Sequence, residues 1–358
     1  MSDNQTAELL ARLSQAYGPS GYEDEVRKII VDEIRRSVEK PWIDSLGNVY
    51  AEIPGTGKVP KTMVSAHMDE VGFVVKFVED SGFLRFGLLG GIDSKVLSAQ
   101  RVVIRGSRPI VGVIGSKPPH ILSPDEAKKP AEVGELYIDV GASSREEANK
   151  LGIDVGTTGT FDAPFKHVAY GSMVVGKALD NRAGCVAALR LLESLSRKPP
   201  SATVVFAFTV QEELGMRGAT VTVTSVLPDV ALVFESAVAA DSPGVAGKDR
   251  ILTVGKGPAV RVMDNSMITQ RLMFEYMIST AEAHGIPYQI HLNLGGATDA
   301  GKIHLSGKGI PTGVLSTPCR YIHSPSSMLD LRDLENLLRL AEHTIRDMNS
   351  ADMFNYKV

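Results

Sequence analysis

Cysteine is nearly missing from this chain, with only Cys185 and Cys319 in 358 residues. That excludes a disulfide scaffold, and neither has a second cysteine at metal-ligand spacing, so both are expected to be buried packing residues or bystanders. Long apolar runs are absent too, none approaching the roughly 18 residues of a membrane span. The formal charge is only -4, and no basic arm or Lys/Arg cluster stands out. Neither nucleic acid nor a membrane is therefore an expected partner. The polar opening from Met1 to Thr6 lacks the basic start and apolar core of a signal peptide, so the expected location is cytoplasmic. Internal repeats and low-complexity segments are missing as well.

What is present is ordinary globular material: 43% hydrophobic residues, 22% charged, and 34 glycines that imply many turns. The length exceeds what one core usually fills, so two domains are expected. The chain is organised around Thr203 to Gly215, an apolar run of β-branched and aromatic residues that ends in Glu212 and Glu213. It reads as a buried strand delivering two acids to its C-terminal end, where a cleft can open. Neighbours in extended chain point in opposite directions, so one acid can hold a metal while the other handles a proton. Spacing alone leaves open which does which.

In chain order, helices are expected over Thr6 to Tyr17 and about Glu23 to Ser37. A hairpin turning at Gly47-Asn48 follows, then a strand from Lys61 to Ala66 that runs into His67-Met68-Asp69-Glu70. From Val71 to about His167 the pattern changes to short alternating runs, such as Gly72 to Val78, Arg101 to Arg105, Ile110 to Ile114 and Glu135 to Asp139, with one helix over Ser143 to Leu151. This predicts a small β-barrel or sandwich inserted into an α/β domain. The proline-rich stretch Lys117 to Pro130 inside it is expected to be a mobile loop. After His167 the α/β pattern resumes: a helix opening at Ala178 to Gly184, a strand from Asp229 to Phe234 ending at Glu235, a helix around Gln270 to Ala283, and a strand from Pro287 to Leu294. Two further segments, Pro311 to Ser316 and Pro318 to Ser324, precede a terminal helix from about Leu331 to Met348. The expected organisation is residues 1–70 and 167–358 as one α/β domain, interrupted by 71–166.

Ligand-type residues arrive at the ends of these runs: His67, Asp180, Glu212-Glu213, Glu235 and His323. Histidines with carboxylates suit zinc, cobalt or manganese, and a carboxylate can bridge two ions about 3.5 to 4 Å apart. Without cysteine, these positions fit an open dinuclear centre better than a closed structural site.

The same residues carry a resemblance. Ala66-His-Met-Asp-Glu70, Ala178-Leu-Asp-Asn-Arg182, Gln211-Glu-Glu-Leu-Gly215, Gly296-Ala-Thr-Asp299 and Arg320-Tyr-Ile-His-Ser324 resemble, in order, the motifs of the dinuclear metallo-aminopeptidase family of the tetrahedral TET aminopeptidases and glutamyl aminopeptidases, some once labelled endoglucanases. The resemblance spans nearly the whole chain. It implies an α/β, mixed-sheet dinuclear metallopeptidase domain with an inserted small β-barrel that makes subunit contacts, and a homododecamer built from dimers. It implies two divalent ions per subunit, zinc or cobalt, one held by His67, Glu235 and Asp180, the other by Asp180, Glu213 and His323. Asp180 would bridge them, Glu212 would be the general base, and Asp69 would orient His67. The implied activity is aminopeptidase trimming of short peptides. One position departs: the family usually has Asp where this chain has Glu235, whereas related dinuclear carboxypeptidases and deacylases use Glu. An N-acyl amino acid deacylase or carboxypeptidase is the alternative enzyme, and a metal-stabilised assembly protein the non-catalytic one.

Overall fold

Four parallel strands form the centre of the molecule: Ala202–Thr209, Val59–His67, Val230–Val238 and Thr312–Arg320, hydrogen-bonded in that order. The computed structural model describes residues 3–57, 59–125, 128–168 and 171–356. Around the four, antiparallel strands complete an 11-stranded mixed sheet. Trp42–Ile43 and Val49–Ile53 form the predicted hairpin on one edge. Ser327–Asp330, Met173–Gly176 and Lys166–His167 extend the other, while Ala259–Met263 and Gln289–Leu292 branch from Thr312–Arg320.

Both faces of the sheet are covered, which is why the central strands read as continuous apolar runs. On Ala202–Thr209 the residues Val204, Phe206 and Phe208 pack among the helices Asp3–Gln15, Asp24–Ile34, Leu179–Arg197 and Leu331–Arg346. Their alternates Val205 and Ala207 pack on the opposite side with Ala219, Val223 and Ala300. The last helix starts cleanly because Asp330 caps it, its side chain accepting the backbone N–H of Arg332 at 2.9 Å.

Between Glu70 and Lys166 the chain builds a closed six-stranded barrel, in the spatial order Gly72–Val78, Leu84–Leu89, Tyr137–Asp139, Pro109–Gly115, Arg101–Arg105 and Thr158–Phe161. Its centre is a stack of aromatic edges: Phe73 meets Phe86 at 5.4 Å and Phe161 at 5.1 Å, both near perpendicular. Closure removes free strand edges. Ser144 caps the short helix Arg145–Lys150 by accepting from the Glu147 N–H. In the segment 117–130, Pro119–Ile121 makes a 3-10 turn, and Glu126 and Ala127 lie outside the described residues.

Several local expectations need correction. The organising strand stops at Thr209, and Gln211 turns with a φ of +54°, so Glu212 and Glu213 sit in a turn rather than in extended chain. Their separation comes from that turn and not from strand alternation. The strand carrying Glu235 runs on to Val238, which places this acid inside the sheet. Pro311 to Ser316 and Pro318 to Ser324 are not two segments, because a single strand passes through Pro318. Proline is tolerated there because Leu315 and Ser316 pair with one neighbouring strand and Cys319 and Arg320 with another, leaving position 318 between them. Among the elements not read from sequence are the helix Arg217–Val226 and the strand Ala259–Met263. The first is full of Val and Thr, whose local preference for strand is overridden by packing on the sheet.

Candidate metal centre

The C-terminal ends of the parallel strands converge on one cleft of about 570 Å³, whose lining includes His67, Asp180, Glu212, Glu213, Glu235 and His323. This is where open parallel sheets place their ligands. His67 ends the Val59–His67 strand and is opposite Thr209. Asp180 opens the Leu179–Arg197 helix, after Ala178 at φ +54° and before a cis peptide to Asn181. Asn181 fastens this corner to the sheet, donating from Nδ2 to the Phe234 carbonyl at 2.7 Å and accepting from Gly184 N–H at 3.0 Å. His323 follows the Thr312–Arg320 strand, at φ +59°. Positive φ at Ala178, Gln211 and His323 concentrates backbone strain around the cleft, which is where functional constraint usually puts it.

Asp180 is shared between two groups. Its Oδ1 lies 3.5 Å from His67 Nε2, and its Oδ2 lies 3.3 Å from His323 Nε2. Glu235 Oε2 completes the first group, 3.6 Å from His67 Nε2, and Glu213 Oε1 the second, 3.2 Å from His323 Nε2. Each set of three offers donor atoms close enough together for a single cation. Asp180 Oδ1, Glu213 Oε1 and Glu235 Oε1 are buried without any hydrogen-bond partner. Such orphaned oxygens are costly unless something positive meets them. Burial opposes charge on both histidines, yet the surrounding carboxylates pull His67 well above its ordinary range and His323 up to about 11. The same field favours any cation placed between them, so the donor set fits divalent metal.

Glu212 lies between the two groups, with Oε2 at 4.0 Å from His67 Nε2, and with His67 and Glu213 it makes a third set of donors close enough for a cation. Burial raises its carboxyl well above the usual range, helped by Glu235 and Glu213 and opposed by His67. Asp69 is fully buried behind it. Its Oδ1 is 3.4 Å from His67 Nδ1 and accepts the Glu212 N–H at 2.9 Å, while Oδ2 accepts the Glu213 N–H at 3.2 Å and the Ser20 hydroxyl at 2.6 Å. One carboxylate thus sets both the histidine and the turn that carries the two acids.

The remaining motif residues also find places. Glu70 is buried against Lys177 at 2.7 Å and Arg182 at 3.4 Å, and it accepts from Thr160, tying the barrel to the start of the Leu179–Arg197 helix. Asp299 is buried, accepts the Thr209 hydroxyl at 2.5 Å, leaves Oδ1 unpartnered, and is pushed up to about 7 by burial. Three contributors went unread in the sequence. Gly91, in the turn after the barrel strand Leu84–Leu89, offers its carbonyl to His323 Nδ1 at 2.6 Å. Arg261 and His291 line the same cleft from the branch strands. A backbone carbonyl leaves no sequence signal, and the only trace of Arg261 is a charge inside an apolar strand.

Comparison with known proteins identifies the family of the chain. Residues 47–340 match the model of the M42 glutamyl aminopeptidase family. The lysyl aminopeptidase of Pyrococcus furiosus is 33% identical over 352 residues, covering 96% of this chain and 98% of that one. An aminopeptidase structure from the archaeon Desulfurococcus kamchatkensis superposes with a TM-score of 0.93 at 39% identity, covering 99% of this chain and 97% of the other. The TET1 peptidase of Pyrococcus horikoshii, described as able to assemble into a tetrahedron or a large octahedral shell, superposes with a TM-score of 0.85 at 35% identity, over 95% and 99% of the two chains.

Proposed function

Since the chain belongs to the M42 aminopeptidase family of metal-dependent hydrolases, we propose that it releases N-terminal residues from short peptides in the cytoplasm, using two divalent cations, zinc or cobalt, per subunit. The observation that carries this reading is the division of Asp180, one oxygen toward His67 and the other toward His323. His67, Glu235 and Asp180 would hold one ion, and Asp180, Glu213 and His323 the other. The longer Glu235 suits its place, because it starts from inside the strand and still brings Oε2 to 3.6 Å from His67.

Bound there, the cations supply carbonyl polarisation and a water of lowered pKa. The protein's own residues do the rest. Glu212 accepts the water's proton at a carboxylate oxygen and returns it to the leaving amine. Asp69 keeps His67 in register and, through the two N–H groups it accepts, holds Glu212 over the reacting water and Glu213 against His323. The Gly91 carbonyl can only accept, so it fixes the proton of His323 on Nδ1 and frees Nε2 as a donor to metal.

The barrel, residues 71–166, is the assembly unit of this proposal, pairing subunits into dimers that build a dodecamer. Val111 and Val113 support it, since they stand 59% and 42% exposed on the barrel's outer face. No helix among the described residues is long and apolar enough to cross a membrane.

The test is hydrolysis of Leu-, Glu- and Lys-p-nitroanilides beside their N-acetyl forms, before and after chelation. Release from free amino forms only, lost on chelation and restored by metal, is expected. Preference for N-acetyl forms would make the protein a deacylase, and hydrolysis indifferent to chelation would remove the metals from the mechanism.

A further inference from the structure

Away from the cleft, two helices end side by side. The helices Arg271–Ala283 and Leu331–Arg346 share one core, Met273, Met277 and Ala281 coming from the first and Leu337, Leu340 and Ala341 from the second. The Tyr276 hydroxyl crosses between them to the Thr344 carbonyl at 2.9 Å. Met348, just past the second helix, lies with Sδ 3.9 Å from Thr62 Oγ1. Thr62 precedes His67 by five residues on the strand Val59–His67. At about 3.3 Å per residue, this corner is therefore roughly 17 Å from the metal groups, at the opposite end of the sheet.

His284 and Asp347 are the residues at which the two helices stop, and His343 stands four positions before Asp347. That spacing puts His343 and Asp347 on one helix face, and His284 meets them from the neighbouring helix. His284 and His343 stack ring on ring, with centroids 3.5 Å apart and planes 19° from parallel. His284 Nε2 lies 2.7 Å from Asp347 Oδ2. One ligand-type atom from each of the three falls within 4.8 Å of the others.

The setting favours a cation. Both helices bring their C-terminal carbonyl ends here, where the macrodipole attracts positive charge and disfavours an acid such as Asp347. The first helix has no basic residue in its last turn. In the second, Arg346 is engaged elsewhere, donating to Glu342 at 2.8 Å and to the Lys198 carbonyl at 2.8 Å, and Arg339 donates to Asn336. Two imidazolium rings stacked this closely would repel each other, so one ring keeps a lone pair free in its plane.

We propose that His284, His343 and Asp347 bind a divalent cation of the zinc, nickel or copper kind, separate from the cleft, which staples the ends of the two helices. Imidazole with one carboxylate selects these ions over magnesium and calcium, which take oxygen ligands. Zinc bonds of about 2.0 to 2.1 Å put two ligand atoms roughly 3.3 Å apart in a tetrahedral shell. His284 Nε2 and Asp347 Oδ2 then part by only about 0.6 Å from their 2.7 Å. The proton between them leaves to solvent, and water fills the fourth position.

The experiment loads the metal-free, full-length protein with zinc, removes unbound metal by gel filtration, and measures zinc per subunit beside His284→Gln, His343→Gln and Asp347→Asn. Each variant is expected to hold one equivalent fewer than the parent, a difference that does not depend on how many ions the cleft takes. Hydrolysis of whichever free amino p-nitroanilide the parent cleaves should be retained. The fall in thermal midpoint relative to the parent should be larger in zinc than in chelator, a pattern that lost packing alone does not give, because packing acts in both. Asp347→Asn, at an exposed position, tests the site even if a histidine variant does not fold. Equal zinc in parent and variants overturns the proposal. One equivalent lost without a zinc-dependent fall in midpoint keeps the site and overturns the staple.

Discussion

The carbonyl oxygen of Gly91 accepts a hydrogen bond from Nδ1 of His323 across 2.6 Å, so the barrel reaches into the candidate metal centre of the other domain. Gly91 follows Gly90, whose φ of +89° and closeness to Val71 and Glu213 leave no room for a Cβ. The two domains are coupled at the ring that faces Asp180 and Glu213.

That coupling sets the outcome of removing the barrel. Replacing residues 71–166 by a short linker should leave smaller particles that still bind metal, but with one ion held more weakly, since His323 loses the acceptor that fixes its tautomer. Size-exclusion chromatography and metal analysis read both. A particle of the full-length size would show that assembly lies elsewhere.

Glu212 and Glu213 should separate by their substitutions. Glu212→Gln keeps the shape but cannot take a proton, so metal content should hold while kcat falls on the order of 10²-fold or more. Glu213→Gln should lower the content of one metal and recover in part with excess metal. Loss of a metal from Glu212→Gln, rescued by adding it, would exchange the two roles.

Asp180 is the carboxylate common to both groups. Asp180→Ala should therefore lose both ions together under dialysis, whereas Glu235→Ala should retain the ion at His323. Equal retention in the two variants would show that Asp180 does not bridge.

Asp69→Leu removes an acceptor of three hydrogen bonds and strands the Glu212 and Glu213 N–H groups and the Ser20 hydroxyl in the interior. A buried group left unmade costs about 1 to 3 kcal/mol, so a clear fall in thermal stability is expected together with loss of activity. Calorimetry of the metal-free protein isolates the packing effect.

Acid stability should depend on Asp241. Its bidentate hydrogen bonds with Arg320, at 2.7 and 2.6 Å, hold its carboxyl below the usual range, against the effect of burial. A depressed folded pKa means stability present above the ordinary carboxylate value, about 3.9, and lost as pH falls through the folded one. Asp241→Asn should flatten the acid limb of the unfolding curve, and an unaltered limb would remove this pair from it.

Sequence alone carried the α/β pattern, the barrel-like insert and the ligand-type residues at the ends of apolar runs, because burial on both sheet faces and alternation in the barrel write themselves into residue order. Through its ordered motifs it also carried the family. Tertiary structure decided what depends on separate strands meeting: the two oxygens of Asp180 turned to different histidines, the turn that sets Glu212 apart from Glu213, and Glu235 acting from within a strand. It alone could place the Gly91 carbonyl, since every residue has one, and the side chains of His284, His343 and Asp347, which stand together only because two helices end side by side. Local pattern records which face of an element is buried. Which atoms then find partners is settled by contacts between segments far apart in the chain, and no local pattern contains them.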